Sequence, residues 1–210
     1  MPTEAYTPFA STYVVLPNDN VDTDQIIPAR FLKTTERGGL GASAFADWRY
    51  RPDGTPNPDF PLNAPTAAGA QVLVAGRNFG CGSSREHAVW ALLGAGFRAV
   101  VSSEFADIFR GNALGNGLLP IQVAPATIQR LCRAHAEDPT ARVSVDLARQ
   151  SITLPDGEAI AFPIAPFVKH CLLHGIDELD FLLDADEETT AYEATHPARV
   201  TTTEADEVVA

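Results

Sequence analysis

The residues best suited to chemistry lie in a glycine-rich turn at positions 76–87, Gly-Arg-Asn-Phe-Gly-Cys-Gly-Ser-Ser-Arg-Glu-His. An apolar run at 71–75 predicts a buried strand before the turn, and an apolar run at 88–93 predicts a helix after it. Such a turn lets backbone N–H groups and the positive end of the helix dipole face one small volume. Arg85 adds a planar fork of donors that suits a carboxylate or a phosphate. The turn therefore predicts an anion site with two serine hydroxyls beside it.

A purely structural role is also open to part of this turn. Ser83 and Glu86 have the spacing of a capping box, in which a serine and a glutamate bond each other's backbone N–H groups at a helix start. Capping does not account for the two glycines that flank Cys81, for Ser84 or for Arg85. An arginine is unfavourable beside the positive end of a helix unless an anion offsets it. The turn therefore favours the anion site, with capping as the alternative.

Three familiar turn motifs do not fit these residues. A phosphate-binding P-loop requires Gly-Lys-Ser/Thr, and no lysine lies near Gly82. The hydrolase elbow requires Gly-x-Ser-x-Gly, and neither serine has that pair of glycines. The dinucleotide fingerprint requires a third glycine where Arg85 stands.

The composition is that of an ordinary globular chain. Its 210 residues suffice for one substantial core, and 45% of them are hydrophobic. A net charge of −12 argues against nucleic acid, which requires a basic face. No stretch approaches the ~18 uninterrupted apolar residues of a membrane span, and the first residues do not resemble a signal peptide. We therefore expect a cytoplasmic protein.

The cysteines give the same indication. Cys81, Cys132 and Cys171 are an odd number and lie far apart, which suits a reducing compartment better than a disulfide framework. No Cys-x-x-Cys pair occurs, so we expect no zinc or iron–sulfur site built from this chain alone.

Alternation of apolar runs and helical patterns predicts an α/β fold. The expected strands are 12–16, 71–75, 98–102, 119–123, 142–147, 150–154 and 158–162, and the expected helices are 88–93, 104–114, 125–135 and 166–174. The first strands alternate with helices, as in a parallel unit, whereas the later strands form a hairpin. We therefore expect strands in more than one layer.

Domain organisation is predicted to be simple. We expect one domain over 1–195, with a long proline- and glycine-rich loop at about 36–66, and an acidic, disordered tail at 196–210. Trp48 and Tyr50 lie in the loop beside arginines, which predicts that they pack on another surface, such as a partner.

Two smaller clusters allow more than one interpretation. Residues 22–24, Asp-Thr-Asp, suit a turn with a helix cap, or they orient Arg30 and Lys33 around an anionic ligand. His170 and His174 share one helical face, but the metalloprotease pattern is not met, and histidines are favoured at a helix C-terminus. We expect the histidines to be structural.

The two main segments together resemble the small-subunit family of the 3-isopropylmalate dehydratases, in the aconitase superfamily. The resemblance rests on residues 20–28, 45–49, 56–60, 78–88, 103–109 and 142–180, the last with His170-Cys171. It covers most of the chain to about residue 195, and Gly-Ser-Ser-Arg-Glu-His is highly specific to the superfamily. Residues from about 198 onward lie outside it.

The resemblance implies a fold, a reaction and a partner. The fold is the swivelling β/β/α domain, with a layered, partly parallel sheet and flanking helices. The reaction moves a hydroxyl between adjacent carbons by dehydration and rehydration, converting 2-isopropylmalate to 3-isopropylmalate through an enoic diacid in leucine biosynthesis. A [4Fe–4S] cluster polarises that hydroxyl from a separate large subunit. We therefore expect no cofactor on this chain, and a heterodimer or larger assembly with the cluster-bearing subunit.

The resemblance also implies residue roles. Ser83 is the base for the carbon-bound proton, Arg85 binds a substrate carboxylate, and Asp24 organises the site. The expected substrate-binding residues are Ser84, Arg85, Arg30, Phe31, Leu32, Lys33 and Thr34. The apolar character of the selecting segment, 31–34, suits an isopropyl group. Two alternatives stay open: a homoaconitase-type or other hydroxy-diacid isomerase small subunit, and a non-catalytic anion-binding module of the same fold.

Overall fold

A computed structural model describes residues 4–33 and 38–196. The strands are β1 (Phe9–Leu16), β2 (Val72–Ala75), β3 (Ala99–Ser102), β4 (Leu119–Gln122), β5 (Arg142–Asp146), β6 (Ser151–Thr153) and β7 (Ala159–Ala161). The helices are α1 (Thr23–Ile26), α2 (Ala46–Arg49), α3 (Glu86–Gly94), α4 (Asp107–Gly115), α5 (Pro125–Glu137), α6 (Pro166–His174), α7 (Glu178–Asp184) and α8 (Asp186–Thr195). None of the helices in these two ranges is both long and apolar enough to cross a membrane.

The strands, which the sequence predicted in more than one layer, join in one hydrogen-bonded order, β4-β3-β2-β1-β5-β6-β7. Strands β1 to β4 are parallel neighbours, and β5 to β7 continue the sheet antiparallel. Strand β1 belongs to both halves: residues 9–12 pair with β5, and residues 13–16 pair with β2. This architecture confirms the predicted α/β fold with a partly parallel sheet.

Both faces of the parallel half are buried. In β2, Leu73 and Ala75 join one apolar cluster with residues of α3 and α4, whereas Val72 and Val74 join a second cluster with residues of α5 and α6. A strand that is covered on both sides has no polar face, which explains why the sequence shows a continuous apolar run there.

The long segment that follows β1 is folded over residues 38–71. Phe45, Trp48 and Phe60 form an aromatic cluster with ring centroids 5.8 to 6.3 Å apart. The Asn63 amide donates to the Arg49 carbonyl (2.7 Å), and the Asn57 amide donates to the Trp48 carbonyl (3.1 Å). The expectation that Trp48 packs on another surface is therefore confirmed, and that surface belongs to this chain.

The domain boundaries predicted from the sequence stay predictions. Helix α8 ends at Thr195, and His196 is the last residue described, so the expected tail lies almost entirely outside the described residues. The start of the expected 36–66 loop likewise lies outside them.

The 3₁₀ turn at Leu40–Ser43 crosses the end of α3, where the backbones of Gly41 and Gly94 are in direct contact because neither residue has a side chain. A Cβ added to Gly94 would lie 2.8 Å from the Gly41 nitrogen, and a Cβ added to Gly41 would lie 2.1 Å from the Gly94 carbonyl carbon. This contact fixes the long segment to the helix that follows the glycine-rich turn.

We expect Gly94→Ala to lower the free energy of unfolding by about 1–3 kcal/mol, because neither backbone can yield easily to the added methyl group. Urea unfolding monitored by circular dichroism measures this loss. Gly111→Ala is the matched control: Gly111 lies mid-helix in α4 with open space at its Cβ position, so the same change should stabilise by about 0.5–1 kcal/mol. A Gly94→Ala variant as stable as the parent would contradict the packing argument.

Candidate active site

The glycine-rich turn lies at the carboxyl edge of the parallel strands. It follows the end of β2, and the segments after β1 and β3 leave the sheet at the same edge. In open α/β sheets, this edge is where ligands bind, because successive loops converge there. The fold thus brings the two motif segments, 20–25 and 77–85, to one place.

The two segments are joined by their backbones. The Asn20 N–H donates to the Arg77 carbonyl and the Gly80 N–H to the Val21 carbonyl, each at 2.8 Å. Asp22 and Cys81 then form a parallel bridge. The pairing of β1 with β2 therefore continues past both strand ends into the site.

The third motif segment joins from the other side. Phe79 and Phe105 form a parallel bridge, in which the Phe79 N–H donates to the Glu104 carbonyl and the Ala106 N–H to the Phe79 carbonyl, each at 3.1 Å. This pairing keeps the segment after β3 extended, so α4 begins at Asp107 and not at 104 as predicted.

Two positions in the turn require glycine. Gly80 has φ +77°, and a Cβ there would lie 2.2 Å from Cγ of Phe109, a fully buried ring. Gly82 has φ +90°, a conformation that side chains of L-residues rarely adopt. The glycines on both sides of Cys81 are thus explained by backbone geometry.

The capping-box alternative for Ser83 and Glu86 is wrong. Helix α3 begins at Glu86, its N-cap is Arg85, and no side chain caps it. The Glu86 carboxylate instead accepts a hydrogen bond from the Asn116 amide at 3.0 Å. Ser83 and Ser84 are both exposed, so their hydroxyls are accessible from solvent.

The cap predicted in residues 22–24 is present at the start of α1. The Asp22 carboxylate accepts from the Gln25 N–H (2.8 Å), and the Gln25 side chain accepts from the Asp22 N–H (2.9 Å). This capping box leaves the next acid, Asp24, available for another partner.

That partner is Arg85. The Asp24 carboxylate accepts a hydrogen bond from Nη1 of Arg85, so the ion pair joins the two motif segments. Only 17% of the arginine side chain is exposed, whereas half of the aspartate side chain is. An arginine held this way presents its other nitrogens in a defined direction.

The expected substrate-selecting segment follows α1. Arg30 donates to Asp47 at 2.5 Å and lies over the Phe31 ring, with 4.7 Å between guanidinium carbon and ring centroid. Phe31 and Leu32 are partly buried against the core, and Lys33 is exposed. Arg30 and Phe31 line a groove of about 470 Å³ together with residues of α2 and the segment after it. Thr34 lies outside the described residues.

Sequence reasoning did not single out Thr23. The residue is 2% exposed, and its hydroxyl donates to the Ser83 carbonyl at 2.9 Å. Its N–H donates to the Cys81 carbonyl at 2.8 Å. In the sequence, Thr23 is a β-branched hydroxyl residue between two acids at a predicted helix start, and this pattern by itself predicts only a helix cap.

His174 lies in the last turn of α6, and His170 lies one turn before it. Their ring centroids are 4.1 Å apart, His174 Nδ1 lies 2.8 Å from the His170 carbonyl oxygen, and Gly175 ends the helix with φ +67°. Across the described residues, no group of three or more His, Cys, Asp or Glu side chains could hold a metal ion.

Known proteins match this chain over nearly its whole described length. The Aconitase C-terminal domain family matches residues 3–126, and the family described as LeuD_N matches residues 129–166. The 3-isopropylmalate dehydratase small subunit of Roseiflexus sp. (strain RS-1) is 61% identical over 190 residues, 90% of this chain and 93% of that protein. The chain belongs to the 3-isopropylmalate dehydratase small-subunit family. The small subunits of Chloroflexus aurantiacus and Anaeromyxobacter dehalogenans are 60% and 58% identical to it. These matches cover 90% and 87% of this chain, respectively, and 94% of each relative.

The fold of this family member has a solved counterpart. The crystal structure of 3-isopropylmalate dehydratase from Methanocaldococcus jannaschii superposes with a TM-score of 0.62 at 28% identity. The match covers 89% of this chain and 99% of that one. It confirms the resemblance on which the expected fold rested.

Cys81 lies in the turn but is not primed for reaction. Burial, with a smaller contribution from the Asp22 carboxylate, raises the pKa of its thiol, and the thiol lies 3.4 Å from the Asn20 carbonyl oxygen. Burial also raises the pKa of the Cys132 and Cys171 thiols. Because only thiolates are strong nucleophiles, this small subunit should hold its cysteines in the unreactive form near neutral pH.

We expect iodoacetamide to alkylate Cys81 more slowly than free cysteine at pH 7.5, with the rate still rising above pH 9. A raised pKa leaves less thiolate at neutral pH, and it moves the pH at which the alkylation rate levels off to a higher value. Peptide mass spectrometry of quenched time points measures the rate at each cysteine, with the urea-unfolded chain as the control. A plateau below about pH 8.5, the ordinary cysteine value, would contradict the raised pKa.

Proposed function

We propose that this chain is the small subunit of a hydro-lyase that interconverts 2-isopropylmalate and 3-isopropylmalate together with a separate large subunit. The observation that carries the proposal is the exposed turn on which Ser83 stands two residues from Arg85, with Arg85 held by Asp24 from the second motif segment. Membership of the small-subunit family supports the assignment.

In this proposal, Ser83 removes the carbon-bound proton and returns it on the adjacent carbon. A serine alkoxide is strongly disfavoured near neutral pH, so the site has to stabilise negative charge on the oxygen. Backbone N–H groups near the start of α3 and the charge of Arg85 supply such a field, because they are oriented before the reaction begins.

Arg85 is proposed to bind a carboxylate of the substrate. Its ion pair with Asp24 uses Nη1, and the guanidinium has two further nitrogens that form a fork for a carboxylate. The exposure of Ser83, Ser84 and Gly82 supports access for a small dicarboxylate. Asp24 then acts as the organiser of the site, because it fixes the direction of that fork.

The iron–sulfur cluster implied by the resemblance does not fit this chain. Cys81 lies in the turn, Cys132 on α5 and Cys171 on α6, and these three separate thiols form no ligand set. We therefore assign the cluster to the large subunit, and expect the isolated small subunit to be inactive. The cytoplasmic location stays a prediction.

The selecting segment supports an apolar substituent on the substrate. Phe31 and Leu32 offer apolar surface there, beside Arg30, which is paired with Asp47. A homoaconitase-type substrate carries an additional carboxylate in place of the isopropyl group. Comparing turnover of 3-isopropylmalate with that of homoaconitate by the reconstituted complex distinguishes the two.

We expect Ser83→Ala to lower kcat about a hundredfold or more in the complex with a cluster-bearing large subunit, because the general base is lost. Ultraviolet absorbance of the enoic diacid intermediate measures turnover, and size-exclusion chromatography confirms that assembly is unchanged. Ser144→Ala, at an exposed serine of β5, is the control that should keep full activity. Full activity of Ser83→Ala would refute the role of Ser83 and favour a non-catalytic module.

We expect Arg85→Lys to raise KM about tenfold or more, because an ammonium group cannot bind a carboxylate through two parallel hydrogen bonds. Asp24→Asn should weaken the same interaction, and the double variant should lose less than the sum of the two single effects, since both act through one guanidinium. Arg130→Lys is the control, at an exposed ion pair with Asp156 and Glu158. Additive effects of the two variants would contradict the proposed link.

A further inference from the structure

Thr23 contacts the turn through both its hydroxyl and its backbone. The hydroxyl donates to the Ser83 carbonyl at 2.9 Å, and the N–H donates to the Cys81 carbonyl at 2.8 Å. The side chain is buried, and Gly82 lies against it: a Cβ added to that glycine would be 3.6 Å from the Thr23 hydroxyl oxygen. Thr23 therefore holds the segment that carries the exposed serine.

These two hydrogen bonds also set the direction of two backbone donors. In a planar trans peptide, the N–H group points opposite to the carbonyl of the same peptide unit. The Cys81 and Ser83 carbonyls both point to Thr23, and the described residues contain no cis peptide. The N–H groups of Gly82 and Ser84 therefore point away from α1. Backbone N–H groups whose direction is fixed in advance can stabilise negative charge at a site.

The neighbours of Thr23 make its position rigid. Asp22 closes the capping box with Gln25, and Asp24 holds Arg85. The first turn of α1 thus contacts the turn at two points, through the Ser83 peptide and through the Arg85 guanidinium. In these three successive residues, Asp22 caps α1, Thr23 contacts the peptide of Ser83, and Asp24 contacts the guanidinium of Arg85.

We propose that Thr23 is a positioning residue for the reaction: its hydroxyl fixes the Ser83 peptide, and with it the direction of the Ser83 side chain and of the Ser84 N–H group. The inference rests on the function proposed above. Thr23 is buried beneath the turn and acts through Ser83. A displacement of about 1 Å at a reacting group can cost a hundredfold in rate, so one hydrogen bond beneath the base is enough to matter.

The test compares Thr23→Val, which removes the hydroxyl at nearly constant shape, with Thr23→Ser, which keeps it. In the complex with the large subunit, we expect Thr23→Val to lower kcat about ten- to a hundredfold with KM changed less than about threefold. Thr23→Ser should keep kcat within about twofold of the parent. A merely structural role would lower the melting temperature and the yield of complex without this split between kcat and KM.

Ser11→Ala is the matched control. Ser11 is buried, donates to the Thr12 carbonyl (2.7 Å) and accepts from the Gln71 N–H (2.9 Å), but it lies at the opposite edge of the sheet. It should lower the melting temperature and leave kcat unchanged. Parental kcat in Thr23→Val, or equal losses in Thr23→Ser and Thr23→Val, would overturn the proposal.

A second measurement does not depend on turnover. In ¹H–¹⁵N spectra of the isolated full chain, Thr23→Val should shift the Gly82 and Ser84 amide signals, whereas Thr23→Ser and Ser11→Ala should leave them in place. Unmoved signals in Thr23→Val would overturn the inference even if the complex is active. If the Thr23→Val amides shift but the complex of the parent chain with the large subunit shows no turnover, the geometry is upheld and the proposed function is refuted. If Thr23→Val does not fold, Thr23→Ala takes its place in both measurements, with the same outcomes deciding.

Discussion

The site depends on the backbone pairing that carries the parallel sheet beyond the ends of β1 and β2. The segment after β1 and the turn after β2 exchange hydrogen bonds from Asn20 to Thr23. Such pairing ties segments about 60 residues apart in the chain, whose ends would otherwise move independently. A loop held by a neighbouring strand extension can place functional groups with the precision of the sheet itself.

The Asp24–Arg85 ion pair joins the same two segments that the backbone pairing joins. Asp24 lies in the first turn of α1, where an acid is favoured by the helix dipole, and from there it reaches Arg85 at the start of α3. Arg85 stands at a helix end that disfavours a cation, and the Asp24 carboxylate offsets this cost. The pairing leaves Ser83 and Ser84 exposed to solvent. The same pair therefore stabilises the free protein and orients a donor for an anionic ligand.

Local sequence signals accounted for most of the architecture. Helix α6 was predicted with both its ends, because proline begins it and a left-handed glycine stops it. The strands were predicted within a few residues, since apolar runs buried on two faces leave little ambiguity. The start of α4 was missed because pairing of Phe105 with Phe79 overrides local helix propensity. The sequence predicted that Trp48 packs on another surface but left that surface open, because the folded segment alone places Phe45 and Phe60 against it.

By itself, the sequence determined the α/β class, the family and the residue types that serve the proposed chemistry, because these follow from periodicity and from short motifs of fixed spacing. Tertiary structure alone decided which partners those residues have. It excluded the capping box between Ser83 and Glu86, paired Asp24 with Arg85 and Arg30 with Asp47, and placed the Thr23 hydroxyl on the Ser83 carbonyl. Spacing along the chain cannot specify such pairs, since each joins separate segments whose relative position is set by strand pairing and by the two buried faces of the sheet.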